Sequence, residues 1–275
     1  MIITILGGTG FIGNYLILEL LNHDIKLIVT GTNINKAKSY SWFDSVIFIE
    51  LNIDTEINSR NLNLITSSDK IIDLIWTGLP NYNKLFHFEK NLLSHYNFLK
   101  NLIKNGAKEI IITGTCFEYG MQEGALGVSL QTNPMNPYAL AKDTLRKFLE
   151  MLQKYEYPFK LKWLRLFYMY GDGQSPNSIL SQLDTAIKNG DEFFNMSMGN
   201  QKRDYLPINI VAKKICDISI NNYESNLFNI CSGEPITILE LVSNYIKLRN
   251  SKIKLNLGYY PYQEYEPMHF WGINQ

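Results

Sequence analysis

A chain of 275 residues with 45% hydrophobic and 19% charged residues has the apolar material for a sizeable core and too little charge for a disordered tail. Its 26 basic and 26 acidic residues cancel, which argues against a non-specific nucleic-acid binder. No apolar run reaches the roughly 18 residues that a transmembrane helix needs, so no membrane partner is expected.

The first apolar run, residues 2–6, opens directly from Met1 with no basic lead or small-residue cleavage site. It is expected to be a buried strand and not a signal peptide. It enters Gly7-Gly8-Thr9-Gly10-Phe11-Ile12-Gly13, after which Ile12, Leu16 and Leu20 recur at helical spacing. A strand, glycines spaced by three and a helix together meet a specific need. The chain must turn tightly, the backbone must approach a diphosphate with no Cβ in the way, and the helix N-terminus must offer free N–H groups. Gly7, Thr9, Gly10, Phe11, Ile12 and Gly13 are therefore candidate dinucleotide contacts. The second run, residues 26–30, leads into Gly31-Thr32-Asn33 without the acidic residue that usually holds the ribose 2′-hydroxyl of NAD. Lys36 follows. Thr30, Thr32, Asn33 and Lys36 would accept a 2′-phosphate, so the expected coenzyme is NADP in preference to NAD.

Further apolar runs lie at residues 45–50, 70–75, 109–113 and 160–165. Between them Leu92, Tyr96, Leu99 and Leu102, and then Leu145, Phe148, Leu149 and Leu152, mark helices. Strand and helix in repetition predict an α/β fold with a doubly wound parallel sheet. The fifth run leads into Thr113-Gly114-Thr115-Cys116-Phe117-Glu118-Tyr119-Gly120, at the sheet edge where ligands of such folds bind. Asn136-Pro137-Tyr138-Ala139-Leu140-Ala141-Lys142 comes next, with Pro137 suited to a first helical position and Tyr138 and Lys142 on one face. An ammonium beside a phenol favours phenolate, so the spacing predicts a lowered Tyr138 pKa and a usable acid or base.

After Tyr170 the rhythm changes. A loop at 171–176 precedes a helix carrying Ile179, Leu183 and Ile187, which stops at Asn189-Gly190-Asp191, and the tail from Gly258 is rich in Tyr and Pro. The expected organisation is a dinucleotide-binding domain over 1–166, to which later segments return, and a smaller, mainly substrate-binding region over 167–275. Cys116, Cys216 and Cys231 are odd in number and spaced unlike a metal site, so no metal and a reduced, cytoplasmic setting are expected.

Together these pieces resemble the extended short-chain dehydrogenase/reductase family, the NAD(P)-dependent nucleotide-sugar epimerases, dehydratases and reductases. The matching segments are 7–13, 113–120, 138–142, 165–171, 202–207 and 228–233, in order along nearly the whole chain. The resemblance implies a Rossmann-type fold, a nucleotide-sugar substrate and a triad of Thr115, Tyr138 and Lys142, with Thr113 the second choice for the hydroxyl. It implies coenzyme contacts from Asn52 and Ile53, where Asn replaces a usual Asp, from Leu74, Ile75 and Trp76, and from Asn91 and Thr113. Trp76 stands where the family has a small residue, so it either shapes the nicotinamide pocket or packs in the core. Arg203 matches a clamp for the substrate diphosphate, with a structural ion pair as its alternative. Phe117, Tyr168 and the 195–199 loop are candidate substrate contacts. Helices equivalent to those around 92–102 and 145–152 pair two subunits in the family, so a homodimer is expected.

Departures from the pattern narrow the chemistry. Cys116-Phe117 stand where a 4,6-dehydratase of the family carries Asp-Glu, which removes the acid pair needed to eliminate water. Tyr168 replaces an asparagine common in epimerases. The expected activity is therefore NADPH-dependent reduction of a nucleotide-linked 4-keto-6-deoxyhexose by Tyr138, Lys142 and Thr115. The alternatives are an NAD-dependent epimerase and a non-catalytic NADP-binding sensor or scaffold.

Overall fold

The computed structural model describes residues 1–262 and 266–274. In chain order, β1 (Ile2–Leu6), α1 (Phe11–Leu20), β2 (Lys26–Gly31), α2 (Ile34–Ala37), β3 (Ile47–Glu50), α3 (Ser59–Thr66) and β4 (Lys70–Asp73) form the first half-sheet. Then come α4 (Leu92–Lys104), β5 (Glu109–Thr115), β6 (Gly124–Leu126), α5 (Pro137–Tyr155), β7 (Lys160–Leu166), β8 (Tyr168–Tyr170), α6 (Ile179–Asn189) and β9 (Phe193–Asn195). The remainder is β10 (Lys202–Pro207), α7 (Ile208–Ile220), β11 (Leu227–Ile230), β12 (Pro235–Thr237), α8 (Ile238–Leu248), β13 (Lys254–Asn256) and β14 (Phe270–Gly272).

The main sheet has seven parallel strands in the order β11-β7-β5-β4-β1-β2-β3. Its strands are nearly continuous apolar runs because both faces are covered. On one face Ile3, Ile5 and Val29 pack under Leu16, Ile17 and Leu20 of α1 and Val211, Ala212 and Ile215 of α7. On the other, Ile71, Ile110 and Ile112 pack under Ile65 of α3, Leu99 and Leu102 of α4, and Leu145 and Leu149 of α5. The strand order reverses between β1 and β4. In doubly wound sheets such a switch point, at the C-terminal strand ends, is where the ligand crevice lies.

Two expected runs are shorter than their apolar pattern. The third begins at Ile47 because Phe43–Ser45 forms a 3-10 turn. The fourth ends at Asp73, whose Oδ1 accepts the Ile75 N–H at 3.0 Å and turns the chain off the sheet. The seventh strand, β11, was not among the expected runs. Its four residues include Asn229, a polar side chain that the interior accepts because its amide donates to the Leu126 carbonyl and accepts from the Tyr119 hydroxyl, both at 2.7 Å.

The remaining strands form smaller units above the C-terminal edge. β12, β10 and β8 make a three-stranded sheet, β13 pairs with β9, and β14 pairs with β6. Leu180 and Leu183 of α6 pack with Leu241 and Val242 of α8 in a separate apolar cluster. As the sequence predicts, α6 stops at Gly190, which takes the left-handed conformation that glycine adopts freely. Part of the aromatic tail lies outside the described residues. The described part from Phe270 enters the fold as β14.

Candidate active site

The glycine loop follows β1 directly. Gly7 has a φ of 77°, which suits it to the turn, and a Cβ on Gly13 would lie 2.5 Å from the Gly8 carbonyl oxygen. Only glycine lets α1 pack this closely on the loop. No side chain caps the α1 N-terminus and no acidic residue sits in its first turn. Its N–H groups are thus left for an anion, and the cradle fits the diphosphate of a nicotinamide dinucleotide.

Past β2 the structure adds a residue. Thr30 is buried, and its hydroxyl accepts the Gly7 N–H at 3.3 Å, so it braces the glycine loop. Thr32 and Asn33 are exposed, and Asn33 caps α2 by accepting the Lys36 N–H at 3.0 Å. Parallel pairing sets Glu50 beside Gly31, and its carboxylate accepts the Ile34 N–H at 3.0 Å. An acidic group thus does stand at the end of β2, delivered by β3. Exposed Asn52 folds into a local turn, accepting the Asp54 N–H at 3.0 Å, with half-buried Ile53 beside it.

At the centre of the crevice, Asn136 caps α5 by accepting the Ala139 N–H at 2.9 Å, with Pro137 at the first helical position. This fixes Tyr138 in the first turn and Lys142 one turn on. Thr115 at the end of β5 lies next to the Tyr138 phenol and favours its ionised form. Lys142 Nζ donates to the Thr113 carbonyl at 2.8 Å and lies 4.3 Å from the centre of the Trp76 ring. Burial depresses the Lys142 pKa to about 8, against the pull of Asp73 and Glu118. Tyr138 behaves opposite to the expectation: burial above all, then Tyr82, Glu118 and Cys116, hold its pKa well above the usual phenol value, opposed by Thr115. The reason is desolvation, with the Lys142 ammonium engaged by a carbonyl and an indole face.

Thr115 is held by a buried network. It forms a capping box with Glu118, whose Oε1 accepts the Thr115 N–H and the Trp163 indole N–H, both at 2.9 Å, while Oε2 accepts Arg165 Nε at 2.8 Å. Thr113 is turned away from the phenol and donates its hydroxyl to the Asp73 carbonyl at 3.2 Å. Asp73 also pairs with buried His95 behind Trp76. Leu74 continues the edge, its N–H donating to the Leu6 carbonyl at 3.1 Å, and Ile75 packs against Gly7. Asn91 donates to the Thr77 carbonyl at 3.0 Å and so ties α4 to the loop that carries Trp76.

From Tyr138 an aromatic wall of Tyr82, Phe117 and Tyr168 leads outward, with successive ring centres 5.6, 5.2 and 6.1 Å apart. At its end stands Arg203, almost fully buried. Its Nε and Nη2 donate to Glu266 Oε2 at 3.3 and 2.8 Å, and Nη1 donates to the Lys202 and Met268 carbonyls. Tyr168 donates to the same Glu266 oxygen at 3.0 Å. In this structure Arg203 makes the ion pair that was its alternative reading. In the 195–199 loop, Asn195 accepts from Asn256 and the Gly199 N–H donates to Ser197.

Sequence reasoning missed Asp73, Tyr82, His87, His95, Glu50 and Glu266. It quoted Glu118 without a role, although Thr115 followed three residues later by Glu118 is a capping-box signature. The described residues hold no cluster of three or more His, Cys, Asp or Glu able to bind a metal, and no helix among them is long and apolar enough to cross a membrane. All three cysteines are free and buried.

Comparison with known proteins places this geometry. The chain is 29% identical over 272 residues to dTDP-6-deoxy-L-talose 4-dehydrogenase (NAD(+)) of Aggregatibacter actinomycetemcomitans, covering 99% of each. It is 28% identical over 257 residues to dTDP-4-dehydro-6-deoxyglucose reductase of Escherichia coli, covering 87% of this chain and 79% of that protein. Its fold matches UDP-glucuronic acid 4-epimerase of Bacillus cereus in complex with UDP-glucuronic acid and NAD, with a TM-score of 0.83 at 21% identity over 100% of this chain and 90% of the other. The model of the NAD dependent epimerase/dehydratase family matches residues 3–231, and the chain belongs to that family.

Proposed function

We propose that the chain is a nucleotide-sugar oxidoreductase that interconverts the 4-keto and 4-hydroxyl forms of an NDP-6-deoxyhexose, acting as a 4-ketoreductase. The observation that carries this is Tyr138 in the first turn of α5 beside Thr115, with Lys142 one turn on donating to the Thr113 carbonyl at 2.8 Å, where the sheet order reverses. A bound nicotinamide dinucleotide supplies or takes the hydride. Tyr138, kept protonated by its burial, gives its proton to the carbonyl oxygen during reduction. The Thr115 hydroxyl bonds the same oxygen as negative charge develops there. Lys142 would hold the nicotinamide ribose of the bound coenzyme and stabilise the phenolate left on Tyr138. Asp-Glu is absent from 116–117, so the residues lack the acid pair for dehydration.

The coenzyme reading turns on Glu50. The lack of an acid within 30–33 and the presence of Lys36 support NADP. The Glu50 carboxylate supports NAD instead, since it would repel a 2′-phosphate and accept ribose hydroxyls. The talose dehydrogenase relative is named for NAD(+). We favour NAD(H). Glu50→Gln should shift preference toward NADP by about tenfold, the effect of removing one unfavourable charge contact.

The test is to add NADH or NADPH with dTDP-, CDP-, GDP- and UDP-4-keto-6-deoxyhexoses and follow the near-ultraviolet absorbance of the reduced coenzyme. No loss with any of them overturns the reading. NAD that stays bound through purification, with turnover of a 4-hydroxy nucleotide sugar and no net redox change, would establish the epimerase instead. The α4–α5 surface leaves Leu93, Leu140, Phe148 and Met151 exposed, which supports the expected homodimer; light scattering at twice the chain mass tests it.

A further inference from the structure

Trp76 occupies a small-residue position of the family pattern, yet the structure surrounds it with specific partners. Its indole Nε1–H donates to His87 Nδ1 at 3.1 Å. His87 in turn uses Nε2 toward the Asn81 carbonyl at 3.0 Å. These two bonds define one neutral tautomer, with Nδ1 accepting and Nε2 donating, and burial lowers the His87 pKa and keeps the ring neutral. His87 opens a single π-helical turn, His87–Asn91, that runs into α4, the kind of helix irregularity found often at functional sites. The indole is thus pinned edge-on by a group that does not change charge near neutral pH.

The pinned ring faces the Tyr138–Lys142 pair. Lys142 Nζ is 4.3 Å from its centre, and the Tyr138 ring meets it at 6.0 Å and 64°. His95 packs on it at 5.4 Å. The charged groups acting on Lys142 are Asp73 from β4 and Glu118 from the turn after β5, and a second indole, Trp163, lies farther off at 5.9 Å. The ammonium donates to the Thr113 carbonyl, and the indole face supplies a second favourable contact. A ring quadrupole attracts a cation most strongly where water is excluded, as here.

We propose that Trp76 is a positioning residue: its indole, pinned by His87, is the platform that holds the Lys142 ammonium against the Thr113 carbonyl, in place for the coenzyme ribose and for Tyr138. This rests on the role given above to Lys142 and adds the device that orients it.

The test separates ring electrostatics from shape. Fluorinated tryptophans placed at position 76 alone keep volume and the Nε1–H while weakening the ring quadrupole step by step. Coenzyme affinity by calorimetry should fall in a graded way with fluorine number, and turnover with it, while the nucleotide-sugar KM stays within twofold. Among ordinary variants, Trp76→Leu should weaken coenzyme binding roughly tenfold to thirtyfold and Trp76→Phe only about threefold, because Phe keeps an aromatic face. A flat response to fluorination, or equal losses in Phe and Leu variants of equal thermal stability, overturns the proposal. The binding series needs no sugar substrate, so it reads this inference even if the assigned reaction proves wrong.

Discussion

At the N-terminal edge of the sheet, Lys70 of β4 and Lys162 of β7 converge on Glu109 of β5 at 3.7 and 3.1 Å. Lys70 also donates to the Ser219 carbonyl at 2.7 Å, and Lys162 to the Ile218 carbonyl at 3.0 Å, at the C-terminus of α7. At the opposite edge, Lys142 has one carbonyl and an indole face. All three lysines are buried. The first two share a carboxylate and the negative end of a helix dipole, which is how an interior charge is made tolerable. Burial lowers the Lys70 pKa too, against the pull of Glu109, but the third has no carboxylate in contact, and its pKa falls to about 8. An under-compensated cation is poor structure, and it would be available to a hydroxyl that arrives with the ligand and to the Tyr138 phenolate of its own helix.

If that division is right, variants at the two edges should fail in different measurements. The largest effect belongs to Tyr138→Phe, which should cost roughly 10³-fold in kcat, the scale of a lost general acid. Coenzyme binding should persist. Turnover within tenfold of the parent would break the assignment of the upper edge. At the lower edge, Glu109→Ala strands two buried ammonium groups and should destabilise the fold by about 3–5 kcal/mol, with little change in kcat of the folded protein. Chemical denaturation read beside the kinetics checks both halves of that statement.

Lys142→Met sharpens the contrast through pH. The folded pKa of about 8 lies below the ordinary value of 10.5, so between those values the unfolded chain binds more protons at this residue and stability rises with pH. Below about pH 8 the buried charge opposes folding in full. The methionine variant should therefore be more stable than the parent at pH 7, by about 1–3 kcal/mol after the lost hydrogen bond to Thr113 is counted, although it loses turnover. The gap should close toward pH 10. Melts at both pH values test this, and a variant less stable than the parent at pH 7 would show that Lys142 is a structural lysine after all.

The same contrast explains what could be read from the residue order. Apolar runs marked six strands of the main sheet because they are buried on both faces, and Tyr138 and Lys142 were visible because a helix brings residues four apart onto one face. Pro137 and Gly190 marked helix ends by local chemistry. The carboxylates were a different matter. Glu50 reaches the end of β2 only because β3 is its neighbour, Asp73 meets His95 only across the α4 packing, and Glu266 meets Arg203 from the far end of the chain. No periodicity encodes such meetings. The raised Tyr138 pKa belongs with them, since it follows from the depth of the crevice and not from the spacing of Tyr and Lys.

Two buried arginines extend the comparison to the ion pairs. Arg165 meets one oxygen of Glu118, a fully buried carboxylate whose other oxygen takes the Trp163 indole and the Thr115 N–H, so the pair is locked into the scaffold. Arg203 meets Glu266 through one oxygen of a side chain that is 16% exposed. Tyr168 shares that oxygen, at the outer end of the aromatic wall that begins at Tyr138. A guanidinium fork suits phosphate as well as carboxylate, so a nucleoside diphosphate reaching Arg203 would have to exchange with Glu266. Glu266→Gln keeps an acceptor for Arg203 while removing the competing charge. It should tighten binding of a free nucleoside diphosphate by roughly threefold to tenfold, under about 1.4 kcal/mol, with coenzyme affinity unchanged. Glu118→Gln should leave diphosphate affinity alone and lower thermal stability instead. Weaker diphosphate binding in Glu266→Gln would mean that the carboxylate contacts the substrate directly, and that Arg203, like Arg165, is held for structure.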